Sequence, residues 1–223
     1  FKIGQGMICG CKNIFGVSEE EAVKLGLEKE SIKNLVITED IKPYIINNKW
    51  KKLIYTVPFK NLNNFPNTRK YLEKNKEQLI SRYDYDGKKY PWFGYQRVQN
   101  QDIYEKAQPK IITPAYSTSN KFGWDDGTKE QNFIGMSDIY SIVPKEGINI
   151  NLKYILTILN SKLGEFYHKR NSKLKRDNYY EYISKPLAKF PIKNIVSNKI
   201  IYTGLPQLAN KSILYGKVKI GFL

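Results

Sequence analysis

The stretch Asn151-Leu-Lys-Tyr-Ile-Leu-Thr-Ile-Leu-Asn-Ser-Lys-Leu-Gly-Glu-Phe-Tyr167 has the hydrophobic spacing of one amphipathic helix. Its apolar residues recur every three or four positions, as on the buried face of a helix: Leu152, Ile155, Leu156, Leu159, Leu163 and Phe166. Asn151 is a residue type favoured at a helix N-cap. The spacing therefore predicts a helix over 152–167 whose apolar face joins a core.

The segment His168-Lys-Arg-Asn-Ser-Lys-Leu-Lys-Arg176 follows this helix directly and is dominated by basic residues. We expect a basic loop that faces a negatively charged partner, because lysine and arginine neutralise phosphate groups. The expected phosphate contacts are Lys169, Arg170, Lys173, Lys175 and Arg176. His168, the only histidine, is a further candidate, with a solvated helix end as the competing interpretation.

The charge balance of the whole chain points to the same kind of partner. The 223 residues carry 37 Lys and Arg against 21 Asp and Glu, a net charge of +16, and aromatic residues make up 13%. A chain this basic is typical of proteins that bind nucleic acid or an anionic membrane surface. No apolar run approaches the ~20 residues of a membrane span, and the basic segment contains only one large apolar residue, Leu174. Nucleic acid is the expected partner and no membrane is expected.

The two cysteines are one residue apart, at Cys9 and Cys11. On a strand they would point to the same face and be poorly placed to bridge each other. We interpret both as reduced thiols, which predicts a cytoplasmic protein. Two cysteines and one distant histidine do not make a metal site, so none is predicted.

Short segments with helical patterns and short segments with strand patterns together predict an α+β fold with mixed or antiparallel strands and a few helices. Ser18-Glu-Glu-Glu21 is a capping box that predicts a helix to about Lys29, and a second helix is expected to begin at Asn67 or Thr68. The glycine-rich start over 1–16 predicts a twisted strand or hairpin with close backbone approaches. Further strands are expected at about 52–57, 109–113, 121–124, 132–135 and 139–143, and a hairpin around Gly216.

No catalytic site is predicted. Asp84, Asp86 and Lys88 have the spacing of a nuclease metal motif, but Asp84-Tyr-Asp-Gly87 is also an ordinary turn. Asp125-Asp126-Gly127 is interpreted as a turn in the same way. His168 lies among cations that suit an anion contact better than a general base.

Planar and basic residues alternate in two earlier segments, around 92–97 and 116–124. Arginine, asparagine and similar side chains on adjacent loops can distinguish base pairs in a major groove. The predicted base-reading residues are Arg97, Tyr116, Asn120 and Lys121. Trp92, Phe93 and Trp124 are interpreted as packing residues.

Several segments, taken in order, resemble the C-terminal specificity domain of TaqI-like adenine-specific DNA methyltransferases, which also occurs in fused type IIG restriction-modification enzymes. The matching pieces are Gly4, Gly6 and Phe15; Ile37-Thr-Glu-Asp-Ile-Lys-Pro-Tyr44; Phe65-Pro66; Tyr71–Leu79 with Arg82; Trp92 and Arg97; Pro109–Pro114; Asn132; Leu152–Leu163; and Phe190-Pro-Ile192. They span most of residues 1–195. No match is recognised beyond about residue 195.

The resemblance implies a target recognition domain over 1–195, with 196–223 as a C-terminal extension packed on it. It implies that the chain selects a short duplex DNA site for an N-terminal methyltransferase domain of the parent protein. That domain would carry the S-adenosylmethionine site and the Asn-Pro-Pro-Tyr motif that holds a flipped adenine for methylation. This chain contains neither of these motifs and would hold no cofactor. The chain starts at Phe1, and we expect it to be part of a longer protein.

Three alternatives stay open. A non-specific RNA-binding or single-strand-binding domain would also be basic and aromatic. A nuclease module would have to use Asp84, Asp86 and Lys88. A protein-interaction role is compatible with the sequence as an additional function.

Overall fold

The computed structural model describes residues 1–48, 51–148 and 150–192. Its helices, in chain order, are α1 Lys12–Phe15, α2 Glu19–Lys24, α3 Pro66–Lys74, α4 Lys76–Ile80, α5 Gln101–Tyr104, α6 Leu152–Asn160, α7 Lys162–Asn171 and α8 Ser184–Leu187. Its strands are β1 Lys2–Gln5, β2 Gly16–Ser18, β3 Ile32–Val36, β4 Ile41–Lys42, β5 Ile45–Ile46, β6 Lys51–Ile54, β7 Lys110–Pro114, β8 Tyr116–Ser117, β9 Gly123–Asp125, β10 Phe133–Gly135, β11 Ile139–Val143 and β12 Tyr180–Glu181.

Two four-stranded sheets organise the described residues. One has the order β1-β11-β7-β9 with every pair antiparallel. The other has the order β10-β3-β6-β2, in which β10 runs parallel to β3 and the remaining pairs are antiparallel. The predicted α+β class with mixed and antiparallel strands is confirmed.

The all-antiparallel sheet is covered by α6, as its apolar periodicity predicts. Leu152, Ile155, Leu156 and Leu159 are buried in a cluster with Ile111 of β7 and Ile142 of β11. Asn151 caps this helix, and its side-chain oxygen accepts hydrogen bonds from the Lys153 and Tyr154 amides. The predicted N-cap and the first two turns of the helix are confirmed.

The prediction of one continuous helix over 152–167 is wrong, because the chain breaks at Ser161 and residues 162–167 belong to a separate helix, α7. Ser161 has an extended backbone (φ −73°, ψ 156°), and its hydroxyl accepts a hydrogen bond from Gly164 N–H, which starts α7 as a separate helix. The break turns Leu163 and Phe166 away from the core, so that they are 75% and 57% exposed. A Cβ at Gly164 would lie 2.3 Å from the Ile158 carbonyl oxygen, so glycine is required where the two helices meet.

The strands predicted for the middle of the chain are confirmed as β6, β7, β9, β10 and β11, within a few residues at each end. The Ser18 hydroxyl caps α2 by accepting from Glu21 N–H, as expected, but α2 ends at Lys24 rather than near Lys29. The glycine-rich start forms no local hairpin: β1 pairs with β11, far along the chain. The predicted close approach is present at Gly6, where a Cβ would lie 2.2 Å from the Gly135 carbonyl oxygen.

A buried ion pair that the sequence analysis missed holds the turn after β9. Lys110 Nζ lies 3.0 Å from Asp125 Oδ2, and both side chains are fully buried. Asp125 also accepts hydrogen bonds from the Gly127 and Phe133 amides, and Lys110 donates to Asn132 Oδ1 at 2.6 Å. Asp125-Asp126-Gly127 is therefore a turn, as predicted, built around a buried cation. The predicted extension over 196–223 and the hairpin around Gly216 lie outside the described residues.

Candidate nucleic-acid interface

The basic segment after α6 is divided between the end of α7 and a short hairpin, rather than forming one loop. The hairpin spans residues 173–181 and is called here the basic hairpin. Lys175 N–H donates to the Tyr179 carbonyl at 2.7 Å, and Glu181 N–H donates to the Lys173 carbonyl at 3.2 Å. The chain reverses through Asp177 and Asn178, whose positive φ angles of 54° and 62° are tolerated best by aspartate, asparagine and glycine.

Strand pairing fixes the base of the basic hairpin to the second of the two predicted base-reading segments, around 116–124. β12 pairs antiparallel with β8, with Tyr180 opposite Ser117 and Glu181 opposite Tyr116. Tyr116 remains 45% exposed. The structure thus brings Tyr116 together with the predicted phosphate contacts of the hairpin.

The cations of this region differ in whether an acid already neutralises them. Lys169 pairs with Glu165 at 2.7 Å, and Lys175 pairs with Glu181 at 3.0 Å. The hydrogen bond from Lys175 to Glu181 and the charge of that carboxylate raise the pKa of Lys175. Arg170 lies over the Phe166 ring at 4.8 Å. Lys173 and Arg176 are exposed, and their side chains make no hydrogen bond or ion pair with the described residues, so they are the most available for phosphate.

His168, predicted as a phosphate contact, is buried inside the domain as a scaffold residue. Its side chain is 1% exposed and stacks on Tyr182 with ring centroids 4.1 Å apart. Burial lowers the pKa of His168 to about 4, so the imidazole is neutral at pH 7. His168 Nε2 lies 2.9 Å from the Glu181 carbonyl oxygen, which makes Nε2 the protonated nitrogen of the neutral ring. On α7, His168 shares its buried face with Gly164, four residues earlier.

Asn120, predicted as a base reader, is also buried inside the domain as a scaffold residue. It is buried, its Nδ2 donates to the Leu159 carbonyl at the end of α6, and its Oδ1 accepts from the Tyr182 hydroxyl at 2.8 Å. Both functional atoms of the amide are therefore used inside the protein. They tie the loop after β8 to α6 and to the strand that leaves the basic hairpin.

Arg97 and Lys121, the other two predicted readers, lie outside the hairpin. The Arg97 backbone exchanges hydrogen bonds of 2.9 and 3.0 Å with Ile8, and its side chain is exposed. Lys121 is half-buried beside Phe122. Neither side chain makes a hydrogen bond or ion pair with residues 1–48, 51–148 or 150–192, so both cations are free to meet a ligand.

A row of polar side chains connects the position of Arg97 with the hairpin. Gln99, two residues after Arg97, donates to Gln5 Oε1 at 3.3 Å. Gln5 is the cross-strand partner of Tyr140, and such partners project from the same sheet face. Burial raises the pKa of Tyr140, and nearby Tyr116 and Glu181 raise it further, which places Tyr140 beside the base of the hairpin. Gln99, Gln5 and Tyr140 thus lie between the segment of Arg97 and the base of the hairpin.

The sequence profile of the TaqI-like C-terminal specificity domain matches residues 34–192, more than half of the chain. The chain belongs to this family. The resemblance seen in the sequence is confirmed.

The specificity domain is also similar to a solved structure whose title is "Structure of Type IIL restriction-modification enzyme MmeI in complex with DNA has implications for engineering of new specificities". The two share 13% sequence identity with a TM-score of 0.56. The match covers 81% of this chain and 23% of that chain, so the specificity domain spans about a quarter of the longer protein. At this identity the likeness shows a common fold.

The segment before Arg97 is organised by Arg82, which the sequence analysis noted only as part of the family resemblance. Its buried guanidinium donates to the carbonyl oxygens of Leu79, Cys9, Trp92 and Gly94 at 2.7 to 2.9 Å. It also lies 4.9 Å from the centre of the Tyr90 ring. Phe93 is buried and Trp92 and Trp124 pack against the cores, as predicted. Arg82 therefore acts as scaffold for the specificity domain, holding the approach to Arg97.

Several acidic residues of the specificity domain hold turns or form ion pairs. Asp86 Oδ1 accepts from the amides of Lys88 and Lys89 at 2.9 and 3.1 Å, which confirms the turn predicted there. In the part of the chain that the structure describes, no three His, Cys, Asp or Glu side chains gather into a group that could hold a metal ion. Within the same residues, no helix is long and apolar enough to cross a membrane.

Proposed function

We propose that this specificity domain recognises a short duplex DNA sequence for the methyltransferase domain of a restriction-modification enzyme, which methylates an adenine of that sequence. The observation that carries the proposal is the basic hairpin: an exposed, cationic two-stranded element fixed to a second surface loop through the pairing of β12 with β8. The membership of the family and the net charge of +16 support it. Phosphate contacts give a protein its register on duplex DNA, and base contacts give it sequence preference.

Two sets of residues divide these tasks. Lys169, Arg170, Lys173, Lys175 and Arg176 contact phosphates, because they surround the basic hairpin and its supporting helix. Arg97, Lys121 and Tyr116 meet base edges, because each has an exposed or half-exposed side chain. An arginine that pairs with guanine in the major groove is a common specific contact.

The methyl donor, S-adenosylmethionine, belongs in our proposal to an N-terminal catalytic domain of the parent protein. At the glycine-rich start of this chain, Gly6 packs on the backbone of Gly135 and Met136. The catalytic domain would take an adenine that has left the base stack. A cytoplasmic location agrees with Cys9 and Cys11, which are both free thiols.

Binding measurements on the 223-residue chain test the proposal. Fluorescence anisotropy with labelled duplex DNA should show an affinity that falls steeply with salt, since each neutralised phosphate releases counterions. Unlabelled duplex DNA should compete better than single-stranded DNA or duplex RNA of the same length. An affinity independent of salt, or better competition by RNA, contradicts the proposal; the second result would favour an RNA-binding domain.

One double variant and two single variants test the division of labour. The double variant Arg170→Ala/Arg176→Ala should weaken binding to all duplexes by a similar factor, because phosphates are common to every sequence. Arg97→Ala or Lys121→Ala should instead change which duplex is preferred. A changed preference in the double variant, with none in the single variants, would refute these assignments.

A further inference from the structure

The tip of the basic hairpin is exposed along its whole length. All seven residues from Lys173 to Tyr179 are exposed, including Leu174 and Tyr179. The base of the hairpin is held firmly: Ser172 Oγ donates to the Glu181 carbonyl at 2.6 Å, and Tyr182, the next residue, is fully buried. An exposed tip on a fixed base is suited to enter a groove of its partner.

A two-stranded β-ribbon has the dimensions that the major groove of B-DNA admits. The groove is about 12 Å wide, whereas the minor groove is about 6 Å wide and shows a degenerate pattern of hydrogen-bonding groups. The cations Lys173, Lys175 and Arg176 precede the turn, where the phosphates that border the groove would meet them. The shape and the charge of the hairpin therefore both fit the major groove.

The polar residues at the turn itself do not fit a phosphate surface. Asp177 is an exposed carboxylate that follows three cations within four positions, and its side chain has no hydrogen bond or ion pair with the described residues. A carboxylate facing phosphate would be repelled, whereas one facing base edges can accept a hydrogen bond from the amino group of cytosine. Asn178 is equally exposed and unpaired within the described residues, and asparagine matches adenine in the major groove.

We propose that the tip of the basic hairpin enters the major groove and that Asp177 and Asn178 read base edges, so that they are specificity-determining residues. The assignment rests on the proposed function and extends it to two residues outside the set that the sequence predicted. Arg176 and Lys173 remain phosphate contacts that hold the tip in place.

Glycine substitutions separate reading from turn formation. Asp177→Gly and Asn178→Gly keep the turn, because glycine adopts positive φ without strain, while they remove the groups that would touch bases. Each protein, as the 223-residue chain, is mixed with a pool of duplexes of random sequence, and the bound duplexes are sequenced. Far-UV circular dichroism and the thermal midpoint verify that each variant is folded.

The wild-type chain should enrich one short sequence, and each glycine variant should lose roughly tenfold of its discrimination at one position, the two positions being close together. Asp177→Asn should change the preferred base at its position rather than only relax it, because the amide adds a donor. Lys173→Gln is the matched control on the same hairpin and should weaken all duplexes without changing the profile. Profiles identical to wild type in the three tip variants would overturn the assignment while leaving the proposed function in place. A wild-type chain that enriches no sequence would overturn both.

Discussion

The ring of His168 stacks on the ring of Tyr182 with centroids 4.1 Å apart and planes 20° from parallel. His168 belongs to α7, and Tyr182 immediately follows the basic hairpin, so this contact joins the helix to the base of the hairpin. The Asn120 amide accepts from the hydroxyl of the same tyrosine. Two residues that the sequence predicted to touch DNA thus position the element that we propose to touch it.

His168 should make the stability of the domain depend on pH. Its pKa falls from 6.5 to about 4 on burial, so the unfolded state binds the proton more readily. The free energy of unfolding therefore falls as the pH drops from 6.5 towards 4, and this loss is absent above pH 6.5. At pH 5 it amounts to about 2 kcal/mol.

Denaturant unfolding of the wild type and of His168→Phe, at pH 7 and at pH 5, measures this effect. Phenylalanine keeps the stacked ring but does not titrate. The free energy of unfolding should fall by about 2 kcal/mol more in the wild type than in the variant. Equal losses in both proteins would show that the imidazole already titrates normally.

Asn120→Ala should destabilise the domain by about 1–3 kcal/mol, because it leaves the Leu159 carbonyl and the Tyr182 hydroxyl without their partner. Lys121→Ala, at the next position, removes no hydrogen bond among the described residues and should cost little stability. Thermal unfolding of the two variants makes the comparison. Unchanged stability in Asn120→Ala, together with altered DNA preference, would restore Asn120 as a base reader.

The buried pair of Lys110 and Asp125 should be costly to break from one side only. Lys110→Met leaves a buried carboxylate without its cation and should cost about 3–5 kcal/mol. Adding Asp125→Asn removes that charge while keeping an acceptor for the Gly127 and Phe133 amides, so the double variant should regain part of the loss. A double variant less stable than Lys110→Met would show that the single variant retained no uncompensated charge.

The features that were predicted correctly depend on neighbouring residues in the sequence. The first two turns of α6 follow from apolar residues three and four positions apart, and its start follows from Asn151. The turn at Asp86 likewise needs only the amides two and three residues further on. Local geometry is encoded in a short window, so a single sequence is enough to find it.

The features that were missed depend on distant residues. His168 is buried because Tyr182 and Phe190 cover its ring, and Lys110 is buried because Asp125 and Asn132 supply its counter-charge and acceptor. In the sequence alone, His168 and Lys110 are polar residues of types that usually lie on the surface. The basic hairpin was missed for the same reason, since its base depends on pairing with Tyr116 and Ser117, more than 60 residues earlier.

The lysines around the basic hairpin should contribute unequally to DNA binding. Lys173 is free of acidic partners among the described residues, whereas Glu181 already pairs with Lys175 and Glu165 with Lys169. A lysine must give up such a pair before it can bind a phosphate, so its net contribution is smaller.

Lys173→Gln should therefore reduce duplex affinity more than Lys175→Gln or Lys169→Gln does. It should also lower the magnitude of the slope of log affinity against log salt by about 0.9, the value for one phosphate contact on duplex DNA. Anisotropy titrations of the three variants at several salt concentrations provide both quantities. If Lys175→Gln produced the larger loss, the ion pair with Glu181 would have to open when DNA binds, and Glu181→Gln should then strengthen binding.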